Sequence, residues 1–323
     1  MNKQALNSFI LSLVATFSVT SYSYTGNADT SQPSIDDARS KQLVLGAITD
    51  NPTKYFRRLH PLSVYLKTQL APHGIENVSI LLAPDLATMQ TYIDEGKIDI
   101  FSESIFSGIQ LEGVDIELLR WKGGLNSYRP MLISHKSNDI DTIGDLVGKT
   151  VAFEDAKSTS AYLVPMLYLL EHGYSVQQKT DIHQESSPAY INYLFAAQAY
   201  TTSEQNLAIW SSRQLVDVAA IANKDWASEK KFPLHIRQEL KVIHEFDPIP
   251  RAITVFRSDM PKELKNLVLD ILVDAHEDSR SFEAMRSYQK TSRFSRLTNQ
   301  ELATIELLKA KYTELLADRE LAE

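Results

Sequence analysis

Three consecutive hydroxyl side chains, Ser158, Thr159 and Ser160, are the residues of this chain best placed to hold a ligand. They follow a short apolar run, Thr150 to Phe153, and a polar, acidic turn, Glu154 to Lys157. After them come Leu163, Met166, Leu167 and Leu170 at helical spacing, and then Gly173, which closes the run as a helix C-cap. The pattern predicts a strand that feeds the start of a helix. The first backbone N–H groups of a helix have no internal acceptor, and the helix dipole places partial positive charge beside them. Hydroxyl groups at the same spot add short donors, so the stretch suits a phosphate-like or carboxylate anion. A second, purely structural reading of the same residues is open, in which Ser158 is only a helix N-cap.

The rest of the chain must position that turn. Residues 43–48 (LVLGAI) predict a strand buried on both faces, and Thr49-Asp50-Asn51-Pro52 is turn chemistry. Pro61 is expected to open a helix that buries Leu62, Tyr65, Leu66 and Leu70 and ends near His73-Gly74. Residues 78–82 predict the next strand. Asp85 is expected to cap a helix with Leu86, Met89 and Ile93 on one face, and a third strand runs from Ile98 to Phe101. This alternation implies an α/β fold with mostly parallel sheets flanked by helices. Ligands of such sheets collect beyond the C-terminal strand ends, here near 49–53, 83–85 and 102–107. Residues 128–134 and 150–153 predict two further strands, and Tyr162 to Leu170 a helix that Pro165 kinks or breaks. Leu215 to Ile221 reads as a strand with Asp217 embedded in it, and Ala252 to Phe256 as another. Pro261 opens an amphipathic helix, and a last helix spans about 300–316. The aromatic-rich residues 186–213 predict no single element.

Composition narrows the function. The 323 residues carry a net charge of −8, which disfavours broad binding to nucleic acid or to anionic membranes. An anion must therefore be held by a local site. There are no cysteines, which excludes disulfides, thiolate zinc sites and cysteine nucleophiles. Met1-Asn2-Lys3 followed by the apolar residues 9–19 matches a secretory signal, with cleavage expected between Ser21 and Ala28. Residues 1–24 are thus expected to be a signal peptide, and the polar residues 25–40 a disordered lead-in.

The stretch DLVGKTVAFEDAKSTSAYLVP resembles the signature of periplasmic substrate-binding proteins of phosphate, phosphite and phosphonate ABC importers. Supporting pieces are Gly96-Lys97-Ile98-Asp99-Ile100, Trp121-Lys122-Gly123-Gly124, Tyr128-Arg129-Pro130, Leu215-Val216-Asp217-Val218-Ala219 and Pro248-Ile249-Pro250-Arg251, so the resemblance spans roughly residues 43–296. It implies a two-lobe type II periplasmic-binding fold with two hinge strands, lobe one being 41–130 plus 247–323 and lobe two 131–246. The stretches 128–134 and 250–256 sit where the crossings are needed. The resemblance further implies that Ser158, Thr159 and Ser160 hold ligand oxygens and that Asp217 faces them from an opposing loop. An ionised Asp accepts a hydrogen bond only from a protonated oxygen or an amine.

One departure from the family pattern bears on the ligand. The first-lobe motif reads Phe101-Ser102-Glu103-Ser104-Ile105-Phe106, with a carboxylate in place of the usual Gly-Pro or Tyr. Glu103 and Asp217 together would repel a bare dianion, which favours a zwitterion such as an aminophosphonate. Glu103 is equally readable as a solvated loop residue, or as a salt-bridge partner of Arg129 or Arg251. Ser104, Tyr55 and Tyr128 are further candidates for the cleft wall. Arg129 and Arg251 read as hinge or cleft-wall charges with anion contact as the sharper option. The eight histidines show no metal-ligand spacing; His183 and Glu185 lie close together near the expected cleft. No nucleophile elbow or phosphate loop is present, so no bond-breaking chemistry, cofactor or metal is expected. The reading is a monomeric periplasmic binding protein that delivers a small oxyanion-bearing or zwitterionic solute to an ABC permease. The alternative is a ligand sensor that signals to a membrane kinase or cyclase.

Overall fold

The computed structural model describes residues 41–196 and 203–320. The expected signal peptide and lead-in, and part of the polar insert after Tyr200, lie outside the described residues. The chain runs through β1 (Gln42–Ile48), α1 (Pro52–Leu70), β2 (Asn77–Ala83), α2 (Leu86–Asp94), β3 (Ile100–Glu103), α3 (Ile105–Ile109) and β4 (Val114–Lys122). A short β5 (Ser127–Tyr128) leads into β6 (Pro130–His135), β7 (Thr150–Phe153), α4 (Val164–Glu171), β8 (Val176–Gln178), β9 (Ile191–Phe195) and α5 (Ser203–Ser212). Next are β10 (Val218–Ala222), α6 (Asn223–Trp226), α7 (Leu234–Arg237) and β11 (Leu240–Glu245). The chain returns through β12 (Ile249–Pro250) to β13 (Ile253–Arg257), α8 (Lys262–Asp274), α9 (Phe282–Ser287), β14 (Thr291–Arg296) and α10 (Asn299–Glu320).

Two six-stranded sheets result, in the orders β14-β4-β13-β3-β1-β2 and β11-β6-β10-β7-β9-β8. Between them, β5 and β12 pair antiparallel, Tyr128 opposite Ile249, so the two crossings of the chain form one small ribbon. The sheets are mixed where strand–helix alternation alone suggested mostly parallel ones. β1 pairs parallel with β2 and β3, which helices connect. β13 re-enters the first sheet from the other unit and pairs antiparallel with both β3 and β4. Likewise β6 enters the second sheet and pairs antiparallel with β10 and β11.

The start of α1 differs from the expectation. Asn51 is its N-cap, accepting from the Lys54 amide at 3.1 Å, with Pro52 in the first turn, and Pro61 lies inside the helix. Pro61 gives up the bond to the carbonyl four residues earlier. The helix continues because Leu59 and Leu62, on either side, are both buried in the same core with Leu43, Leu66 and Leu70. The cap of α2 is as expected: Asp85 accepts from the Thr88 amide at 2.8 Å, with Met89 and Ile93 buried.

Burial of one acid ties three strands of the first sheet. Asp99 is 4 % exposed and accepts from the Val44 amide at 2.7 Å, while its other oxygen meets the Arg257 guanidinium at 3.1 Å. Arg257 also donates from Nε to the Ile98 carbonyl at 3.2 Å. Removing the buried partner leaves Arg257 only the exposed Asp259 to pair with among the described residues, and breaking a buried pair costs about 3–5 kcal/mol, here at the lower end. Asp99→Ala is therefore expected to lower the unfolding free energy by about 3 kcal/mol, read from the urea midpoint; a loss under about 1 kcal/mol would show that the pair does not hold the sheet.

Candidate functional site

Strand β7 is buried along its whole length, so the loop after Phe153 leaves the sheet at its C-terminal edge. The shape of that loop is governed by Pro165, which has no N–H for the carbonyl of Ala161. That carbonyl accepts instead from the Glu154 amide at 3.2 Å, which ties the turn back to the strand. The first turn is correspondingly wide. Leu163 donates to the Ser158 carbonyl at 3.0 Å and Val164 to the Thr159 carbonyl, each five residues back, giving a π-turn over Thr159–Leu163 before α4.

Each hydroxyl of the triplet has a separate partner. Ser158 Oγ accepts from the Ala161 amide at 3.2 Å and donates to Glu154 Oε2 at 2.8 Å, so its side chain does act as the N-cap. Thr159 Oγ1 accepts from the Phe106 amide at 3.1 Å, a bond from one unit to the other. Ser160 shares a hydrogen bond with the buried Tyr128 hydroxyl. The amides of Thr159 and Ser160 precede the first carbonyl that a helical turn can offer them.

A cavity of about 240 Å³ opens beside these groups. The first unit contributes Tyr55 from α1, Glu103 at the end of β3, Ser104 at the start of α3, Arg120 and Lys122 from β4, and Gln289. The crossing segments contribute Tyr128 and Arg251, and the second unit Glu154, Lys157, Lys224 and the Ser158–Ser160 turn. Seven of the eight candidate residues from the sequence are thus brought to one cavity. Ser104 caps α3, accepting from the Ser107 amide at 3.1 Å, and the Tyr55 hydroxyl accepts from the Gln289 side-chain amide.

Asp217 is the exception and corrects the expectation. It lies just before β10, which runs parallel to β7, and its carboxylate accepts from the Thr150 amide at 2.8 Å. Thr150 begins β7, whereas the Ser158 turn follows its far end, about 13 Å away at the usual rise per strand residue. The carboxylate therefore pins the start of the strand. His183 and Glu185 are exposed and do not line the cavity. Arg129 pairs with Glu245 at 3.3 Å and donates to the Phe246 carbonyl, holding the crossing; Arg251 donates to the Lys122 carbonyl, and neither forms an ion pair with Glu103 among the described residues.

Electrostatics favour an anion. Arg120 is 2 % exposed and forms no ion pair among the described residues. It donates to Thr291 Oγ1 at 3.2 Å and lies 4.8 Å over the Tyr288 ring, with its Nε hydrogen buried and unpartnered. Lys122 has its ammonium pulled down to about 8 by burial, and further by Arg120 and Arg251. Burial raises Glu103 against the opposing pull of the Ser104 amide and Arg120, and raises Glu154 against its bond from Ser158. Burial also pushes the Tyr128 hydroxyl up to about 12. Carboxyls driven toward their neutral form can donate to a ligand oxygen instead of repelling it. Sequence reasoning missed Arg120, Lys122, Lys224, Glu154 and Gln289 as site residues. The signal for the first two was an i, i+2 pair of cations in VDIELLRWK, which a strand presents on one face.

Two α/β units joined by a two-stranded crossing, with a hydroxyl- and cation-lined cavity at the junction, define a solute-binding protein of the two-lobe kind. The family model described as "ABC transporter, phosphonate, periplasmic substrate-binding protein" matches residues 45–302, and the chain belongs to that family of phosphonate-binding substrate-binding proteins. Among solved structures, XAC2383 from Xanthomonas citri, described as bound to ATP, is 27% identical with a TM-score of 0.77, covering 86% of this chain and 98% of that one. The binding-protein component of an ABC phosphonate transporter from Pseudomonas aeruginosa is 22% identical, TM-score 0.53, over 87% of this chain and 95% of that one. PhnD1 from Prochlorococcus marinus, solved with methylphosphonate, is 16% identical, TM-score 0.54, over 84% and 98%. These likenesses give the type II periplasmic-binding fold.

Lys122 yields a pH prediction. A bound anion stabilises the ammonium, so the bound-state pKa lies above the free value of about 8. Binding then takes up a proton at higher pH, and the association constant should fall as pH rises above 8, by up to tenfold per pH unit. Calorimetric titration with methylphosphonate from pH 7.5 to 10 measures this; Lys122→Met should flatten the upper limb, and an equal slope in both proteins would remove Lys122 from the site.

Proposed function

We propose that this cavity is the ligand site and that it holds the oxyanion head of a phosphonate or phosphate ester between two closing lobes, 41–130 plus 247–323 and 131–246. The observation that carries the reading is the convergence of the Ser158–Ser160 turn with Arg120 and Lys122 in a chain whose net charge is −8. A locally basic cavity in an acidic protein focuses an anion where the general surface repels it. The β5–β12 ribbon is the hinge, and the Thr159–Phe106 bond is one of the contacts that closure makes. The loaded form docks, as a monomer, on the permease of an ABC importer after export to the periplasm by the segment 1–24. Methylphosphonate in one structural neighbour and ATP in another are both phosphorus oxyanions. The preference for a zwitterion rests on two facing carboxylates. Asp217 lies elsewhere, and the two carboxyls that do line the cavity, Glu103 and Glu154, are both biased toward their neutral forms by burial, so a dianion is the better fit.

The test is affinity for methylphosphonate by calorimetry. Charge-assisted hydrogen bonds contribute roughly 1.5–3 kcal/mol each. Replacing Ser158, Thr159 and Ser160 together by Ala is expected to weaken binding by at least an order of magnitude, leaving the backbone amides to retain the remainder. Unchanged affinity would reject the turn as the oxyanion cradle.

A further inference from the structure

The head-group cavity is small, and a larger one adjoins it. The adjoining cavity has a volume of about 580 Å³ and shares Lys122, Arg251 and Gln289 with the first. Its remaining charged lining is Arg58, Arg286 and Lys290, so five cations and no carboxylate surround it. None of the five is in an ion pair among the described residues, while cations such as Lys231, Lys265 and Lys311 each meet an acid within 2.7 Å. An acidic protein that leaves five neighbouring cations unmatched around one hollow has concentrated its positive potential there.

The wall between the two cavities is held in place. Gln289 reaches both, its amide donating to the Tyr55 hydroxyl and its carbonyl accepting from Arg120 at 3.5 Å. Gln289 and Lys290 have φ of 52° and 58°, left-handed values that non-glycine residues adopt at a cost. The Lys290 carbonyl accepts from the Gly123 amide at 2.8 Å, and Gly123 itself has φ of 62°. A strained turn at Gln289-Lys290 and a glycine turn at Gly123 thus meet between the cavities and fix the cations there.

We propose that this basic annexe binds a second anionic group of the same ligand, so that the transported solute is a phosphonate or phosphate ester bearing a carboxylate or further phosphoryl group a few bonds from its head. The inference rests on the cradle reading of the first cavity and extends it: Ser158–Ser160 with Arg120 takes the head, and Arg58, Arg286 and Lys290 take the tail. Planar guanidinium groups suit carboxylate and phosphate oxygens in pairs, and a cavity of about 580 Å³ leaves room for tails of different length.

The experiment compares two probes of the same shape, 3-phosphonopropionate and propylphosphonate, by calorimetry at 0.15 M salt, where exposed charges beyond about 8 Å are screened. Wild-type protein is expected to bind 3-phosphonopropionate at least tenfold more tightly. The variant Arg58→Gln/Arg286→Gln/Lys290→Gln should reduce that ratio to below threefold while its affinity for propylphosphonate stays within threefold of wild type. Arg286→Lys, which keeps the charge, should retain most of the preference, and this separates charge recognition from altered folding. A wild-type ratio near one, with propylphosphonate bound, overturns the annexe alone. A ratio that survives in the triple variant overturns it equally. Failure of propylphosphonate to bind at all overturns the cradle reading and the annexe with it.

Discussion

A single absent hydrogen shapes the ligand side of this protein. Because Pro165 cannot donate to the Ala161 carbonyl, the segment after β7 starts as a π-turn, and the freed carbonyl is recruited by Glu154. A regular α-turn would bring the Ser158, Thr159 and Ser160 side chains around a tighter arc. The wider turn sends each hydroxyl to a different place: to its own cap and Glu154, across the cleft to Phe106, and to the crossing at Tyr128. One constraint of backbone chemistry therefore links the sheet of one unit, the helix of the other and the ribbon between them.

The same junction shows why buried cations and acids can coexist without cancelling. Desolvation acts on both signs, lowering Lys122 and raising Glu103 and Glu154, so each of these groups is biased toward its neutral form. Arg120 brings a planar, delocalised guanidinium to the same cavity. Its placement over the Tyr288 ring and against neutral oxygens, with no ion pair among the described residues, leaves a positive charge beside Glu103 in the cavity wall.

Much of this was legible in the residue pattern, for identifiable reasons. The Ser158 turn, the break at Pro165, the cap at Asp85 and the two crossings are all local signals, set by which residues lack a donor or supply one within four positions. Pro61 misled because a buried Leu on each side outweighs a lost hydrogen bond. Asp217 misled because its place depends on register: a parallel pairing with β7 puts it beside Thr150, at the wrong end of the strand. Arg120, Lys122 and Gln289 come together only when β4 and the turn before β14 pair across more than 160 residues of chain, which no local pattern reveals.

The Ser158–Ser160 turn also belongs to the contact between the units. Leu163 closes the π-turn, and Leu167 lies one helical turn further along; both pack in the cluster that contains Ile105 and Phe106 of α3 and Ile305 and Leu308 of α10. On the flank of that cluster, Lys311 of α10 meets Glu171 of α4 at 2.7 Å, and Phe106 stacks edge-on against Tyr312 at 5.1 Å. The Ser158–Ser160 turn thus meets the neighbouring unit directly through the Thr159–Phe106 bond, and again three positions on through Leu163. In a packed interior such neighbours move together, because a void opened on one side forfeits contacts on the other. The shape of the Ser158–Ser160 turn and the fit between the two halves are therefore coupled through the same packed side chains, with no relay between them.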